Sequence, residues 1–252
     1  MKIQFASDLH LEFPENRAFL RDNPIIPTGD ILVLAGDIVP FAQMNRHADF
    51  FKFCSDNFSS TYWIPGNHEY YNSDLNGRTG QFMEDIESNV HLVNNIWAHH
   101  GNCRLIFSTL WTPISTEKAW HIQNGLNDFS LIKDDGKLFT TSRATKLFEE
   151  NIEFIKEAVK NNQREKCIVV THHVPTFHNY PEEYKDSILN EAFAIDLDRF
   201  IENSNIDFWI YGHHHRNVEA FTLGNTALFT NQFGYLQNFE NENFNHSMCL
   251  NI

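Results

Sequence analysis

Positive charge is what this chain has least of: 19 Lys and Arg stand against 33 Asp and Glu, a formal net charge of −14. Tight, salt-sensitive binding of long nucleic acid relies on clustered Lys and Arg, so this balance argues against it. Cysteine is also scarce. The four cysteines, Cys54, Cys103, Cys167 and Cys249, have no paired spacing, and Cys167 falls in an expected core strand; they read as reduced and structural. No apolar run is long enough to span a bilayer. Nothing resembles a signal peptide, and a first candidate ligand at residue 8, on a strand from residue 2, leaves no room to remove one. The expectation is a cytoplasmic, soluble protein, with no internal repeat and no low-complexity tract.

Histidine, in contrast, is plentiful at 14 residues, and much of it sits in short polar islands. The islands are Asp8-Leu9-His10, Gly36-Asp37, Gly66-Asn67-His68-Glu69, Thr171-His172-His173 and Gly212-His213-His214-His215. Each follows an apolar run that reads as a strand: Lys2 to Ser7, Ile31 to Ala35, Tyr62 to Ile64, Cys167 to Val170 and Phe208 to Tyr211. Strand, tight turn, polar ligand is how an α/β scaffold displays chemistry at the carboxyl ends of its strands. Extended chain has a side-chain period of two, so Asp8 and His10 are expected to face one way, as are His213 and His215. By the same rule His172 and His173 diverge, leaving His173 either beside the substrate or simply packed. His214 points away from its neighbours. Glu69 is read as a helix-capping group before Tyr70 and Tyr71.

In this order the islands resemble the signature of the calcineurin-like metallophosphoesterase superfamily: Asp-x-His, Gly-Asp, Gly-Asn-His-Glu, His and Gly-His-x-His, over residues 8–215. Any single block is common by chance; all of them in register with strand signals are not. The resemblance implies an α/β fold, a four-layer sandwich of two mixed β-sheets flanked by helices. It implies that Asp8, His10, Asp37 and His215 hold one metal ion and that Asp37, Asn67, His172 and His213 hold a second, with Asp37 bridging. It also implies that His68 lies beside the substrate, where it stabilises or protonates the leaving oxygen as general acid.

Two divalent ions roughly 3.5–4 Å apart share a hydroxide, lower its pKa and clamp the phosphoryl oxygens for in-line displacement, so no side-chain nucleophile is required. Carboxylate, amide and imidazole ligands suit Mn, Fe, Zn, Ni or Co; Mn is favoured. Arg216, next to His215, is either a bidentate phosphate contact or a solvated arginine.

Within the superfamily, absent features narrow the choice. Protein serine/threonine phosphatases continue the Gly-Asp block as Tyr-Val-Asp-Arg-Gly, where this chain has Ile38-Val39-Pro40-Phe41. Purple acid phosphatases place a ligating tyrosine at the position of Pro40. Lipid A precursor hydrolases carry Gly-Asn-Arg in place of Gly66-Asn67-His68. The remaining group is the small bacterial-type phosphoesterases, similar to class III cyclic-nucleotide phosphodiesterases. The expected activity is hydrolysis of a phosphodiester, in preference to a monoester, on a small molecule or nucleotide. A nuclease acting on short or single-stranded ends and a non-catalytic metal-binding scaffold are the alternatives.

At 252 residues and 42% hydrophobic content the chain suits one large domain or two small ones, and ligands drawn from both ends favour one. Glu12 to Pro27 reads as irregular. Phe41 to Phe58, Gln81 to Ser88, Ser142 to Asn161 and Asp196 to Asn203 read as helices, the third of them strongly amphipathic. Val90 to Leu92, Ile96 to His99 and Leu105 to Leu110 read as strands, and Gly224-Asn225 as a hairpin turn. Thr112 to Gly136 reads as a loop over the site. The aromatic, acidic stretch Pro175 to Leu189 is expected to shape the substrate pocket.

Overall fold

The computed structural model describes residues 1–162 and 165–252. Two six-stranded sheets face each other. In the first, Lys2–Ala6, Ile31–Leu34, Ser60–Trp63 and Val90–Asn94 run parallel, with Cys249–Asn251 and Phe82–Glu87 as antiparallel edges. In the second, Thr226–Thr230, Phe208–Tyr211, Lys166–Thr171 and Cys103–Ser108 run parallel between the antiparallel edges Phe221–Leu223 and Ile96–His100. The central strands are nearly unbroken apolar runs, as strands buried on both faces must be.

Alternation along these strands builds the layers. Ile3, Phe5, Ile31, Val33 and Ile64 meet Leu105, Phe107, Ile168, Val170 and Ile210 between the sheets. The opposite residues of the first sheet, Leu32, Leu34 and Trp63, pack on the helix Ala48–Asn57 through Phe51 and Cys54. Those of the second, Ile106, Val169 and Trp209, pack on Ile152, Ile155 and Val159 of the helix Thr141–Lys160. Thr140 caps that helix by accepting a hydrogen bond from the Arg143 N–H at 3.2 Å. The result is the four-layer α/β sandwich, with mixed sheets and helices outside.

Three expectations fail locally. Gln81 to Ser88 is not a helix but contains the edge strand Phe82–Glu87, which pairs with Val90–Asn94 and half-buries alternate residues. Phe82 and Ile86 are four apart, a spacing that suits helix and strand alike, and the pairing decides. The stretch Glu12 to Pro27 holds a helix, Pro14–Asp22, opened by proline at its first turn. The stretch Thr112 to Gly136 is mostly helical, with Thr116–Gly125 and Asp128–Leu131. Two other helix candidates are shorter than expected: in Phe41 to Phe58 the α-helix begins only at Ala48, after a 3-10 turn over Met44–His47, and in Asp196 to Asn203 it covers Asp198–Glu202.

Candidate metal centre

The carboxyl ends of five parallel strands, Lys2–Ala6, Ile31–Leu34, Ser60–Trp63, Lys166–Thr171 and Phe208–Tyr211, open on one rim, and the five polar islands lie there. They do not arrive in extended conformation. Asp8, His10, Asp37, His213 and His215 all have left-handed backbones, with φ of 56°, 48°, 55°, 83° and 54°. The expected shared direction of Asp8 and His10 therefore comes from two left-handed residues flanking buried Leu9, not from a strand period. Each such residue costs on the order of 1–3 kcal/mol and persists only where its surroundings over-determine it. Here they do: Asp8 N–H donates to Gly36 O at 2.9 Å, His10 N–H to Asp37 O at 3.0 Å and His215 N–H to Gln232 Oε1 at 2.8 Å.

Asp8, His10, Asp37 and His215 offer ligand atoms within 4.8 Å of one another, as do Asp37, His172 and His213. Asp37 belongs to both groups: its Oδ2 lies 3.8 Å from His10 Nε2 and its Oδ1 3.4 Å from His172 Nε2. Asn67 joins the second group, its Oδ1 3.2 Å from His172 Nε2. All of these residues are buried or nearly so.

The imidazole tautomers identify what the clusters fit. His10 Nδ1 lies 3.1 Å from Glu12 Oε1 and His215 Nδ1 lies 2.8 Å from Glu240 Oε2. An ionised carboxylate only accepts, so both Nδ1 atoms carry hydrogen and both Nε2 atoms are left facing the cluster. Those two Nε2 atoms lie 3.0 Å apart. Likewise His172 Nδ1 donates to Ala35 O at 2.9 Å, which turns its Nε2 toward His213 Nδ1 at 3.0 Å. Although burial opposes it, Asp8 and Glu240 raise the His215 pKa to about 10 and Asp37 raises that of His172 to about 9, so without an ion protons take the place that a bound cation would fill. The donor set of carboxylate, amide and imidazole fits two divalent ions.

Glu69 is not a helix cap. Fully buried, it accepts from the backbone N–H of Asp37 (2.9 Å), Ile38 (2.7 Å) and Gly66 (2.6 Å) and from Trp63 Nε1 (3.1 Å), tying the Asp37 and Asn67 loops together. Burial and the adjacent Asp37 carboxylate push its pKa upward, while the N–H donors pull against them. Glycine is obligatory in this knot: a Cβ on Gly66 would lie 2.2 Å from Asp37 Oδ1 and 2.6 Å from the His172 ring.

His68 sits above the clusters. Its N–H donates to Asp37 Oδ1 at 2.9 Å, its ring stacks on Tyr71 at 4.1 Å, and its Nε2 lies 3.3 Å from the Tyr235 hydroxyl. Burial opposes its protonation, but Asp37 and Glu12 outweigh it and raise its pKa. It opens onto a cavity of about 640 Å³ walled by Phe13, Tyr71, Tyr180, Tyr184, Phe193 and Tyr235. Tyr180 and Tyr184 come from the stretch expected to shape the pocket.

His173 is sealed, its ring 4.3 Å from that of His213, and burial followed by the neighbouring His172 pushes its pKa down to about 3. Its side chain lies outside the cavity wall. Arg216 points its Nε at Glu183, 3.0 Å away, and is likewise absent from that wall. His214 is buried against Gln232, the residue that also fixes the His215 backbone, and burial lowers its pKa to about 4.

Sequence reasoning missed Glu12, Asp128, Gln232, Tyr235 and Glu240. Asp128 accepts from Asn67 Nδ2 at 2.9 Å and from the Tyr71 hydroxyl at 2.7 Å, orienting the amide. It lies in a stretch without readable period. Only Glu12 left a signal, continuing the alternation of Asp8 and His10.

Two ligand clusters sharing one carboxylate, placed where parallel strands end, define a dinuclear metal hydrolase. The chain belongs to the calcineurin-like phosphoesterases, whose family model matches residues 1–217, and metal-dependent phosphoester hydrolysis is its reaction class. It is 34% identical over 278 aligned positions to the uncharacterized protein L509 of Acanthamoeba polyphaga mimivirus, covering 99% of this chain and 96% of that one. Its fold is similar to that of the phosphopantetheinyl hydrolase PptH of Mycobacterium tuberculosis (TM-score 0.72, 14% identity, 100% of this chain and 95% of that one). A dimetal phosphatase of Danio rerio is more distant (TM-score 0.50, 13% identity, 92% and 87% coverage). Among the described residues no helix is long and apolar enough to cross a membrane.

Proposed function

We propose that this protein hydrolyses phosphodiesters of small molecules or nucleotides in preference to monoesters, with His68 as general acid. The observation that carries the reading is the charge of the cavity. Its wall holds Glu12, Asp37, Asp128 and Glu240, and among the described residues no Lys or Arg. A monoester has a second phosphate pKa of about 6 and so brings a second negative charge at neutral pH. Beyond its imidazoles the described wall offers no protein cation to meet it, whereas a diester brings one charge and two organic arms for the aromatic walls.

A divalent pair held by Asp8, His10, Asp37, Asn67, His172, His213 and His215 would supply charge neutralisation at the phosphoryl oxygens and a water of lowered pKa. The chain's own residues do the rest. Asp128 and Tyr71 fix Asn67 and His68, the aromatic walls exclude water from the arms, and His68 Nε2 holds the proton for the leaving oxygen. Mn is the proposed metal, with Fe, Zn, Ni or Co as alternatives that the same oxygen and imidazole nitrogen donors suit. Free cysteines, most of them buried, accord with a cytoplasmic setting. The fold neighbour's name places a phosphopantetheinyl ester in the substrate panel.

The test is steady-state hydrolysis of bis(p-nitrophenyl) phosphate against p-nitrophenyl phosphate, by metal-stripped protein reconstituted with Mn, Zn, Ni or Fe. Metal-dependent turnover favouring the diester, absent in Asp37→Ala, is expected. A preference for the monoester would overturn the diester reading. No turnover with two ions bound would favour a scaffold.

A further inference from the structure

The two carboxylates behind the metal-facing imidazoles are not equivalent. Glu240 Oε2 serves His215 and the Tyr235 N–H, at 2.8 Å and 2.7 Å. Glu12 Oε1 serves two histidines at once: His10 Nδ1 and His68 Nδ1, each at 3.1 Å. The two rings meet edge to face with centroids 4.5 Å apart, so one oxygen sits at the apex of both. Because an ionised carboxylate only accepts, it fixes an Nδ1–H on each ring. His10 is thereby left with its Nε2 toward Asp37 and His215, and His68 with its Nε2 toward the cavity. The other oxygen, Oε2, is buried without a hydrogen-bond partner. A buried carboxylate placed for stability alone would satisfy both oxygens, since an unmade bond of this kind costs about 1–3 kcal/mol. Glu12 bears that cost while one oxygen is held between a metal ligand and the cavity histidine.

We propose that Glu12 is the positioning residue for leaving-group protonation, fixing through one oxygen the tautomer and direction of His68 while it orients His10. The proposal rests on His68 being the general acid. As the water oxygen bonds to phosphorus and the bond from phosphorus to the leaving oxygen breaks, the Nε2 proton passes to that oxygen. The imidazole is left neutral, with its Nδ1–H still on Glu12.

The experiment has two arms. In metal-free protein, at a pH above the His68 titration where its ring is neutral as it is left after the proton transfer, nitrogen-15 imidazole spectra report the tautomer directly: His68 in the wild type is expected to carry hydrogen on Nδ1, and Glu12→Gln to lose that fixed form. In Mn-loaded protein with metal content measured, a series of methyl aryl phosphates from p-nitrophenyl to phenyl reads the proton transfer. General acids contribute about 10²–10⁴-fold. Glu12→Gln is therefore expected to lose about 100-fold or more on the phenyl ester and less than about 10-fold on the p-nitrophenyl ester. It should keep both ions, and adding it to His68→Ala should cause no further loss. Should Glu12→Gln fold poorly, Glu12→Ala carries the same expectations. A loss equal across leaving groups, additive with His68→Ala, or accompanied by loss of an ion would overturn the proposal, leaving Glu12 as a support for His10 alone. If His68→Ala itself shows no leaving-group dependence while metal-dependent turnover remains, the general-acid reading fails, and this proposal with it.

Discussion

Glu69 shows how far a single residue can be read. From sequence it is the fourth member of Gly-Asn-His-Glu and looks like a cap; in the fold every partner it has is a donor. Glu69→Gln replaces one acceptor oxygen by an NH₂ group pressed against N–H groups, leaving donors unsatisfied in a dry site. The expected cost is about 2–3 kcal/mol, read as a lower urea midpoint of metal-free protein at unchanged slope; a change within about 0.5 kcal/mol, as at a neutral surface site, would refute this role. The candidate ligands were legible because their islands recur after strand signals. The residues that hold the ligands were not. Asp128 opens a short helix and Glu240 a 3-10 turn, both far along the chain, and nothing local distinguishes a carboxylate that will support a ligand from one that is solvated. Glu12 was within reach, since its side chain follows His10 by two.

At the scale of elements, the strands were the readable part because buried parallel strands are near-continuous apolar runs, and the helix Thr141–Lys160 because its apolar positions fall at steps of three and four. Short amphipathic pieces were not, since Phe82 and Ile86 fit either period. The left-handed residues that aim the ligands escaped as well: Asp and His are enriched among non-glycine residues at positive φ, but that preference does not single out individual positions. Where the close approach is glycine's, a prediction follows. Gly66→Ala forces a methyl onto Asp37 Oδ1 and the His172 ring, 2.2 Å and 2.6 Å away, and both atoms belong to the second cluster. The expected outcome is loss of at least one of two bound ions by elemental analysis, with far-ultraviolet circular dichroism unchanged. Two ions retained at wild-type affinity would show that the turn relaxes without moving the ligands.

For the whole molecule, the centre is also a clasp between the sheets. Asp8, His10, Asp37 and Asn67 follow strands of the first sheet, and His172, His213 and His215 follow strands of the second. The family resemblance, not periodicity, supplied that pairing in advance, because contacts between residues two hundred positions apart leave no local trace. Without ions, burial and the Asp37 carboxylate work to raise the Asp8 pKa, but His215 and His172 outweigh them, and His172, His68 and His10 likewise outweigh burial to hold Asp37 well below the usual carboxylate range. Ions that bind only the folded state stabilise it by about 4 kcal/mol at a thousandfold excess over the dissociation constant. Chelation should therefore lower the melting temperature, and the ligand variants should divide. Asp37→Ala removes the carboxylate common to both clusters, so its melting curves with and without Mn should nearly coincide. His215→Ala disrupts one cluster only and should keep part of the Mn-induced gain. If Asp37→Ala retained the full gain, the two clusters would not share Asp37, and the ions would bind as independent sites on separate sheets.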